Sequence, residues 1–425
     1  MSESCPLPRP VAARIIQCVG ESGVPPELGA DHVQVGFDSI LRIIEREYLD
    51  PMAATASGSA FKLVQAYFGG GKSLFLRCVR QRGWNRGMCA AIVSLSPTER
   101  PFDNNLLVYQ GVAEALTWPP PDELMEPTRG VDDTLRAGLD ALLVQLGEEG
   151  TRRWIDGTLR RHPIDSRSYR AAVVAFLRAN LDGDSETEDL VASWLHGERV
   201  TRREVSHLGI REEITRVNGF RMLRSLVQVL QALGGRGLVL AFDEMDRNIS
   251  LPPRRRRAVA DNLREMVDHC GAGVLPGVLC LYAVPPEFLR QVVPEYPALQ
   301  KRLLAPHPMA AASPQSVVID LEELGPSPKA LLAAIGLRLL EVFEVARDVE
   351  LDRGIQETNL EMLAEEVALT TFEVGHRRDF AKAAVDLLHR QTHDEHVLSA
   401  EELAELTGEG GDLVCLSGGA SLEEF

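Results

Sequence analysis

Two short stretches carry residues whose types and spacing suit phosphate chemistry. Positions 66 to 73 read "AYFGGGKS", which matches the phosphate-loop pattern G-x-x-x-x-G-K-[ST] except at its first letter, where Ala66 replaces glycine. Gly69, Gly70 and Gly71 would let backbone N–H groups close on phosphate oxygens. Lys72 would reach the β- and γ-phosphates as a point charge, and the Ser73 hydroxyl would serve Mg²⁺. Position 66 only starts the turn, so a small residue there is tolerated. The second stretch is "LVLAFDEMD" (238–246), an apolar run that ends in acids. In a parallel sheet, ligands gather at the carboxyl ends of the strands. Asp243 would then hold Mg²⁺ through its water shell, and Glu244 would orient and polarise an attacking water. Either stretch alone has an ordinary reading, a glycine-rich turn or a solvated strand end. Together, and in this order, they predict Mg-ATP binding.

The flanking sequence supplies the elements such a site needs. "SAFKLVQAYF" reads as a buried strand that runs into the glycines, and "KSLFLRCVRQRGW" as the helix after them. "MCAAIVSLSP", "LVLAFDEMD" and "GVLCLYAVPPEF" are continuous apolar runs, the pattern of strands covered on both faces. "SVVIDLEEL" is a shorter candidate. With intervening helices such as "NNLLVYQGVAEAL" and "VADNLREMVDHC", the order predicts an α/β fold with a parallel sheet. Ile210, Ile214, Val217, Leu223, Leu226 and Leu230 fit one face of a long helix. Near the start, "VAARIIQCVG" and "FDSILRIIEREYL" read as two helices, the first ending at Gly20.

Five segments follow from these changes of texture: N-terminal helices and the first part of the core (1–118), a helical insertion (119–208), the second part of the core (209–325), a C-terminal helical domain (326–407) and an acidic, glycine-rich tail (408–425).

Composition bounds the rest. The chain has 425 residues, 45% apolar and 25% charged, with a net charge of −17. No apolar run approaches the roughly 18 residues of a membrane span, and "MSESCPLPRP" lacks a secretory pattern, so a cytoplasmic location is expected. The seven cysteines are scattered without a C-x-x-C pair, as suits reduced thiols. The ten histidines form no ligand pair, so no metal beyond Mg²⁺ is expected. So acidic a body is a poor general DNA binder. "PPRRRR" is the exception. Arg254, Arg255, Arg256 and Arg257 would oppose the dipole at a helix start, which favours a contact to DNA phosphates or an acidic partner.

The sequence resembles AAA+-like P-loop ATPases related to origin-recognition and STAND proteins. More narrowly it is similar to the ATP-binding proteins of bacteriophage-exclusion (BREX-type) defence systems. The likeness runs through "ARIIQCVGESGVPP", "VGFD", "AFKLVQAYFGGGKSLFLR", "SWLHGE", "GLVLAFDEMD", "PPEFL" and "YPALQKRL", over about residues 15 to 305, and more weakly to about 390. It implies an ATPase core with a C-terminal helical lid, acting in anti-phage defence with a helicase-like or DNA-modifying partner. Val35 and Gly36 would then lie near the adenine, and Arg378 of "GHRRDF" would be the lid arginine, with Gly375 before it and Arg377 where proline is usual. Arg302 would be an arginine finger acting on a second copy, or else an ordinary surface ion pair. One feature departs from the pattern. The strand that usually ends in a γ-phosphate-sensing polar residue ends here in Val284 and Pro285, which have no side-chain donor. That leaves two other classes open: a DNA-loading or remodelling ATPase of replication or repair, and a non-hydrolysing STAND-like nucleotide switch or scaffold.

Overall fold

The computed structural model describes residues 7–122, 125–243, 251–323, 327–370 and 376–407. The chain divides into two compact units, residues 36–325 and a second formed by residues 1–35 with 326–425.

The second unit begins with helix α1 (Arg9–Ser22). It runs two residues past the expected stop and closes where Gly23 turns left-handed. Its partners come from the other end of the sequence.

The larger unit opens on α2 (Asp38–Ile44), which continues through a π-helical turn at Glu45–Leu49 into α3 (Asp50–Thr55). Strand β1 (Ser59–Gln65) then leads into the glycine loop and α4 (Lys72–Trp84). After β2 (Cys89–Ser94) come α5 (Asn105–Ala115) and the two-residue β3 (Leu116–Thr117). Four helices make the insertion: α6 (Val131–Gly157, kinked at Gly147), α7 (Arg167–Asp182), α8 (Ser185–Leu195) and α9 (Arg202–Val205). Then α10 (Gly219–Ala232), β4 (Leu238–Asp243), α11 (Pro253–Gly271), β5 (Val278–Val284), α12 (Pro297–Leu303) and β6 (Val318–Asp320) complete this unit.

The strands form one sheet in the order β3-β2-β4-β5-β1-β6, parallel throughout except for β3 at its edge. β4 and β5 are buried along their whole length, which explains why their sequences do not alternate. Register brings Gln65 beside Val284 and Asp320, and Ser94 beside Asp243, so these strand ends share one edge of the sheet. Phe102 stacks edge-on against Phe242 (5.1 Å) and Tyr282 (5.0 Å) on the face of the central strands.

The expected mixed α/β fold with a mostly parallel sheet is present. Two sequence expectations are corrected. The helix expected from Ile210 starts only at Gly219. Asn218 closes a turn before it, accepting from the Thr215 amide (2.7 Å) and donating to the Glu213 carbonyl (2.9 Å). Val217 is 96% exposed, so the apolar spacing across 210–217 did not report one helical face. The first strand also stops at Gln65 instead of running into Tyr67 and Phe68, which are exposed.

The insertion shares the hydrophobic core of the sheet unit. Tyr109 of α5 donates to the Leu195 carbonyl (2.7 Å) and its hydroxyl meets that of Tyr169 at 3.0 Å. Trp194 is buried and donates to the Glu212 carbonyl.

In the second unit α1 packs against α13 (Pro328–Arg347) and α15 (His376–Gln391), and α14 (Arg353–Thr370) and α16 (Ala400–Thr407) complete the bundle around these. Phe343, Phe380 and Leu360 are buried in this bundle. No described helix is long and apolar enough to cross a membrane.

Candidate functional site

The glycine loop joins the carboxyl end of β1, between β5 and the edge strand β6, to the amino end of α4. Gly71 caps α4 with φ at 90°, a conformation that a side chain would strain. Ala66 is buried and its amide donates to the Val284 carbonyl (3.2 Å), so the loop begins against the end of β5. The replacement of glycine by alanine there leaves the turn intact. The Gly70 amide donates to the Tyr67 carbonyl at 3.0 Å, which tightens the loop on itself.

Lys72 is buried to 7% exposure. Its Nζ donates to the carbonyls of Ala66 (2.9 Å) and Tyr67 (3.0 Å), so the ammonium is held at the loop it would serve. Ser73 follows on the first turn of α4, and its Oγ donates to Oδ2 of Asp243 at 2.6 Å. Asp243 is itself 7% exposed at the end of β4. The structure thus brings together Ala66, Gly69, Gly70, Gly71, Lys72, Ser73 and Asp243. Glu244 lies outside the described residues, as does Gly375.

Two oxygen ligands side by side suit Mg²⁺, a hard cation that keeps several waters and takes few protein ligands. No group of three or more His, Cys, Asp or Glu side chains that could hold a metal occurs among the described residues. Ser73 and Asp243 fit the partial coordination a nucleotide-borne Mg²⁺ requires, as distinct from an all-protein cage.

One further carboxylate belongs to this loop, and sequence reasoning did not single it out. Glu322 follows β6, and its Oε1 accepts from the Tyr67 amide at 3.2 Å. A Cβ built on Gly70 would lie 2.5 Å from that oxygen, so Gly70 is needed for this close approach as well. The pairing beneath it is firm: Leu321 donates to the Gln65 carbonyl (2.9 Å), and Gln65 Nε2 donates to Asp320 (2.6 Å). The rule that made Asp243 a candidate, an acid just past a parallel strand, applies equally to "VIDLEE".

The other predicted residues fall elsewhere. Gly36 precedes Phe37, whose ring meets Phe75 of α4 edge-on at 5.3 Å, two residues beyond Ser73. Val35 and Arg378 belong to the second unit. There Arg378 packs over Gly23, where an added Cβ would come 2.3 Å from its Cγ. Arg302 makes a two-point ion pair with Asp268 of α11, one contact at 2.9 Å, and also donates to the Ala298 carbonyl. Of the arginine run, Arg255 pairs with Asp103 (2.9 Å) and donates to the Pro97 carbonyl, and Arg256 lies 3.5 Å from Glu295. Arg254 and Arg257 are exposed on the first turns of α11. Val284 and Pro285 are both buried where β5 ends.

Cys18, Cys78, Cys89, Cys270 and Cys280 are free thiols, as their spacing predicted, and burial pushes the Cys280 thiol well up.

A glycine loop, a buried lysine at its end and a serine–aspartate pair at the carboxyl ends of parallel strands fit a nucleotide-binding α/β protein of the P-loop type. The profile of the family described as BREX system ATP-binding protein BrxC/D matches residues 8–124 and 147–406. The chain belongs to that family, an ATP-binding component of a BREX defence system. Neither a curated protein nor a solved structure gives a match.

Proposed function

We propose that the chain is a Mg-ATP-dependent ATPase of AAA+-like type, working in the cytoplasm beside a helicase-like or DNA-modifying protein of the same defence system. The observation that carries this reading is the 2.6 Å contact between Ser73 Oγ and Asp243 Oδ2, residues 170 positions apart. An idle strand end would have no reason to meet the serine that ends the loop. The placement of β5 between β1 and β4 leaves Asp243 one strand removed from the loop, which supports the AAA+-like assignment.

In this reading, the loop amides and Lys72 hold the phosphates. Moving Lys72 Nζ from the loop carbonyls to the β- and γ-oxygens exchanges two neutral acceptors for charged ones, a stronger bond. Ser73 and Asp243 would hold Mg²⁺, which neutralises charge developing on the phosphates. Glu244 is the candidate to orient the attacking water. Gly36 and Val35 would flank the adenine; the Phe37–Phe75 contact supports this for Gly36 by tying its segment to α4. Arg378 would serve as a lid arginine. For Arg302 to act on a second copy, its pair with Asp268 must open. Arg254 and Arg257 are the members of the basic run best placed to meet DNA phosphates.

A second reading has one specific observation behind it. Val284 and Pro285 present no polar side chain at the end of β5. Hydrolysis would then be slow, and the nucleotide would hold a conformation.

The deciding test is ATP turnover by the purified protein, with Lys72→Ala and Glu244→Gln beside it. Turnover lost in both, with ATP still bound by Glu244→Gln, supports the ATPase. ATP retained without turnover in the wild type, and released only by Lys72→Ala, supports the switch.

A further inference from the structure

The insertion carries a groove of its own, away from the phosphate loop in sequence and in chemistry. It runs along the outer face of α7, with a cavity of about 530 Å³, between that helix and the turn at residues 207–209. Arg167, Arg170, Ala171, Val174, Ala175 and Arg178 recur at helical spacing along its floor. Arg160 enters from the 3-10 turn Leu159–Arg161 that follows α6, and Leu208 forms part of the opposite wall.

Some of these groups are already committed to partners within the chain. Arg178 is paired with Asp156. Of the two acids lining the groove, Asp182 is paired with Arg152 (2.6 Å), whereas Asp184 caps the Thr187 amide (3.1 Å), which satisfies an acceptor but neutralises no charge. Arg170 donates to the His162 carbonyl, which satisfies a donor but neutralises no charge. Arg160 and Arg167 are exposed, with no ion pair among the described residues. A groove with three unneutralised guanidiniums against one unneutralised carboxylate, Asp184, is therefore set into a chain whose net charge is −17.

We infer that this groove is a docking site for an acidic amphipathic helix of a partner protein. Such a helix would lay its apolar side on Ala171, Val174 and Ala175 and its carboxylates on Arg160, Arg167 and Arg170. Guanidinium binds carboxylate through two parallel hydrogen bonds, so the rim favours Glu and Asp side chains. Nucleic acid suits the groove less well. Single strands are held by aromatic side chains on which bases stack, and no Phe, Tyr or Trp lines it. The length matches a helix too, since Arg167 to Ala179 spans ~18 Å at the helical rise.

The test uses the full chain and two fluorescein-labelled probes read by anisotropy. One is a peptide of about 12 residues, the number that covers that length, with Glu and Leu at helical spacing; the other is an oligothymidine strand of matched length. The groove variant is Arg160→Glu with Arg167→Glu. A control, Arg290→Glu with Lys301→Glu, changes net charge equally at another exposed place. The peptide is expected to bind the wild type and the control alike and to lose at least about tenfold in affinity for the groove variant. A urea midpoint equal to that of the wild type shows that the variant is folded; the milder Arg160→Gln with Arg167→Gln stands in if it is not. No peptide binding by the wild type, equal loss in the control, or preferential loss of the DNA strand in the groove variant would each overturn the assignment.

Discussion

Ser73 donates its hydroxyl to Asp243 at 2.6 Å, joining the first turn of α4 to the end of β4. The contact needs both strands in register, because β4 is separated from β1 by β5. It also needs the loop to end at Gly71 with positive φ, since α4 starts one residue later. Two motifs far apart in sequence thus become one site through the sheet alone.

If that pair serves Mg²⁺, removing either oxygen should separate metal dependence from nucleotide binding. Ser73→Ala and Asp243→Asn are expected to bind ATP in the absence of Mg²⁺ about as the wild type does. Both should lose most of the gain in affinity that Mg²⁺ confers, at least about tenfold. Titration of a fluorescent ATP analogue with and without Mg²⁺ measures this directly. An undiminished Mg²⁺ effect in both variants would remove the pair from the metal site.

Glu322 sets two effects against each other at the loop. Its negative charge disfavours an arriving phosphate, while its oxygen anchors the Tyr67 amide at 3.2 Å. Glu322→Gln removes the charge and keeps an acceptor, so ATP should bind a few-fold more tightly. Glu322→Ala loses the acceptor as well and should bind about fivefold more weakly than Glu322→Gln, the scale of one net hydrogen bond. Equal affinity of the two variants would show that the anchor does not position the loop.

Much of this arrangement was legible in the sequence because burial on both faces leaves an unmistakable apolar run. β4 and β5 were readable for that reason, and α4 began and ended where the residues after the glycines indicated. The region from Ile210 to Val217 misled because apolar residues in an irregular segment can fall at helical spacing by chance, as exposed Val217 did. The link between α1 and the C-terminal helices was hidden for another reason. It is a contact between residues over three hundred positions apart, such as Arg9 with Asp348, which no local pattern reports. Glu322 was overlooked because β6 is only three residues long and its acids look like a loop.

The insertion has a pH-sensitive tie. His196 meets Asp132 at 2.8 Å, and that hydrogen bond raises the imidazole above its ordinary value of 6.5. The same bond to His196 is the main cause holding Asp132 down to about 2, against an ordinary 3.8. The histidine contribution is fully present below pH 6.5 and is lost as pH rises through its raised value. The aspartate contribution is present above pH 3.8 and is lost as pH falls towards 2. Thermal midpoints should therefore decline on both sides of a window between about pH 4 and 6.5. His196→Gln should flatten the alkaline side, and a variant with the wild-type pH profile there would show that the tie does not contribute.

Stability is coupled to the site through one close approach. Gly83 lies near the end of α4, and a Cβ there would meet Cγ2 of Val239 on β4 at 2.6 Å. The helix that begins with Lys72 and Ser73 is thus pressed onto the strand that ends in Asp243. Both Val239 and Met88 beside it are fully buried, so neither can move into solvent to make room. Gly83→Ala would gain helix propensity of about 1 kcal/mol, but overpacking a full core costs about 1–3 kcal/mol. Gly83→Val adds more volume and a β-branch, so overpacking should win clearly there. A lower urea midpoint is expected for Gly83→Val, with ATP affinity reduced as α4 is displaced from β4. The companion change Val239→Ala removes the clashing methyl and should restore part of both losses in the double variant. If the double variant is no better than the sum of its parts, the two residues are not coupled and the close contact does not hold the site together.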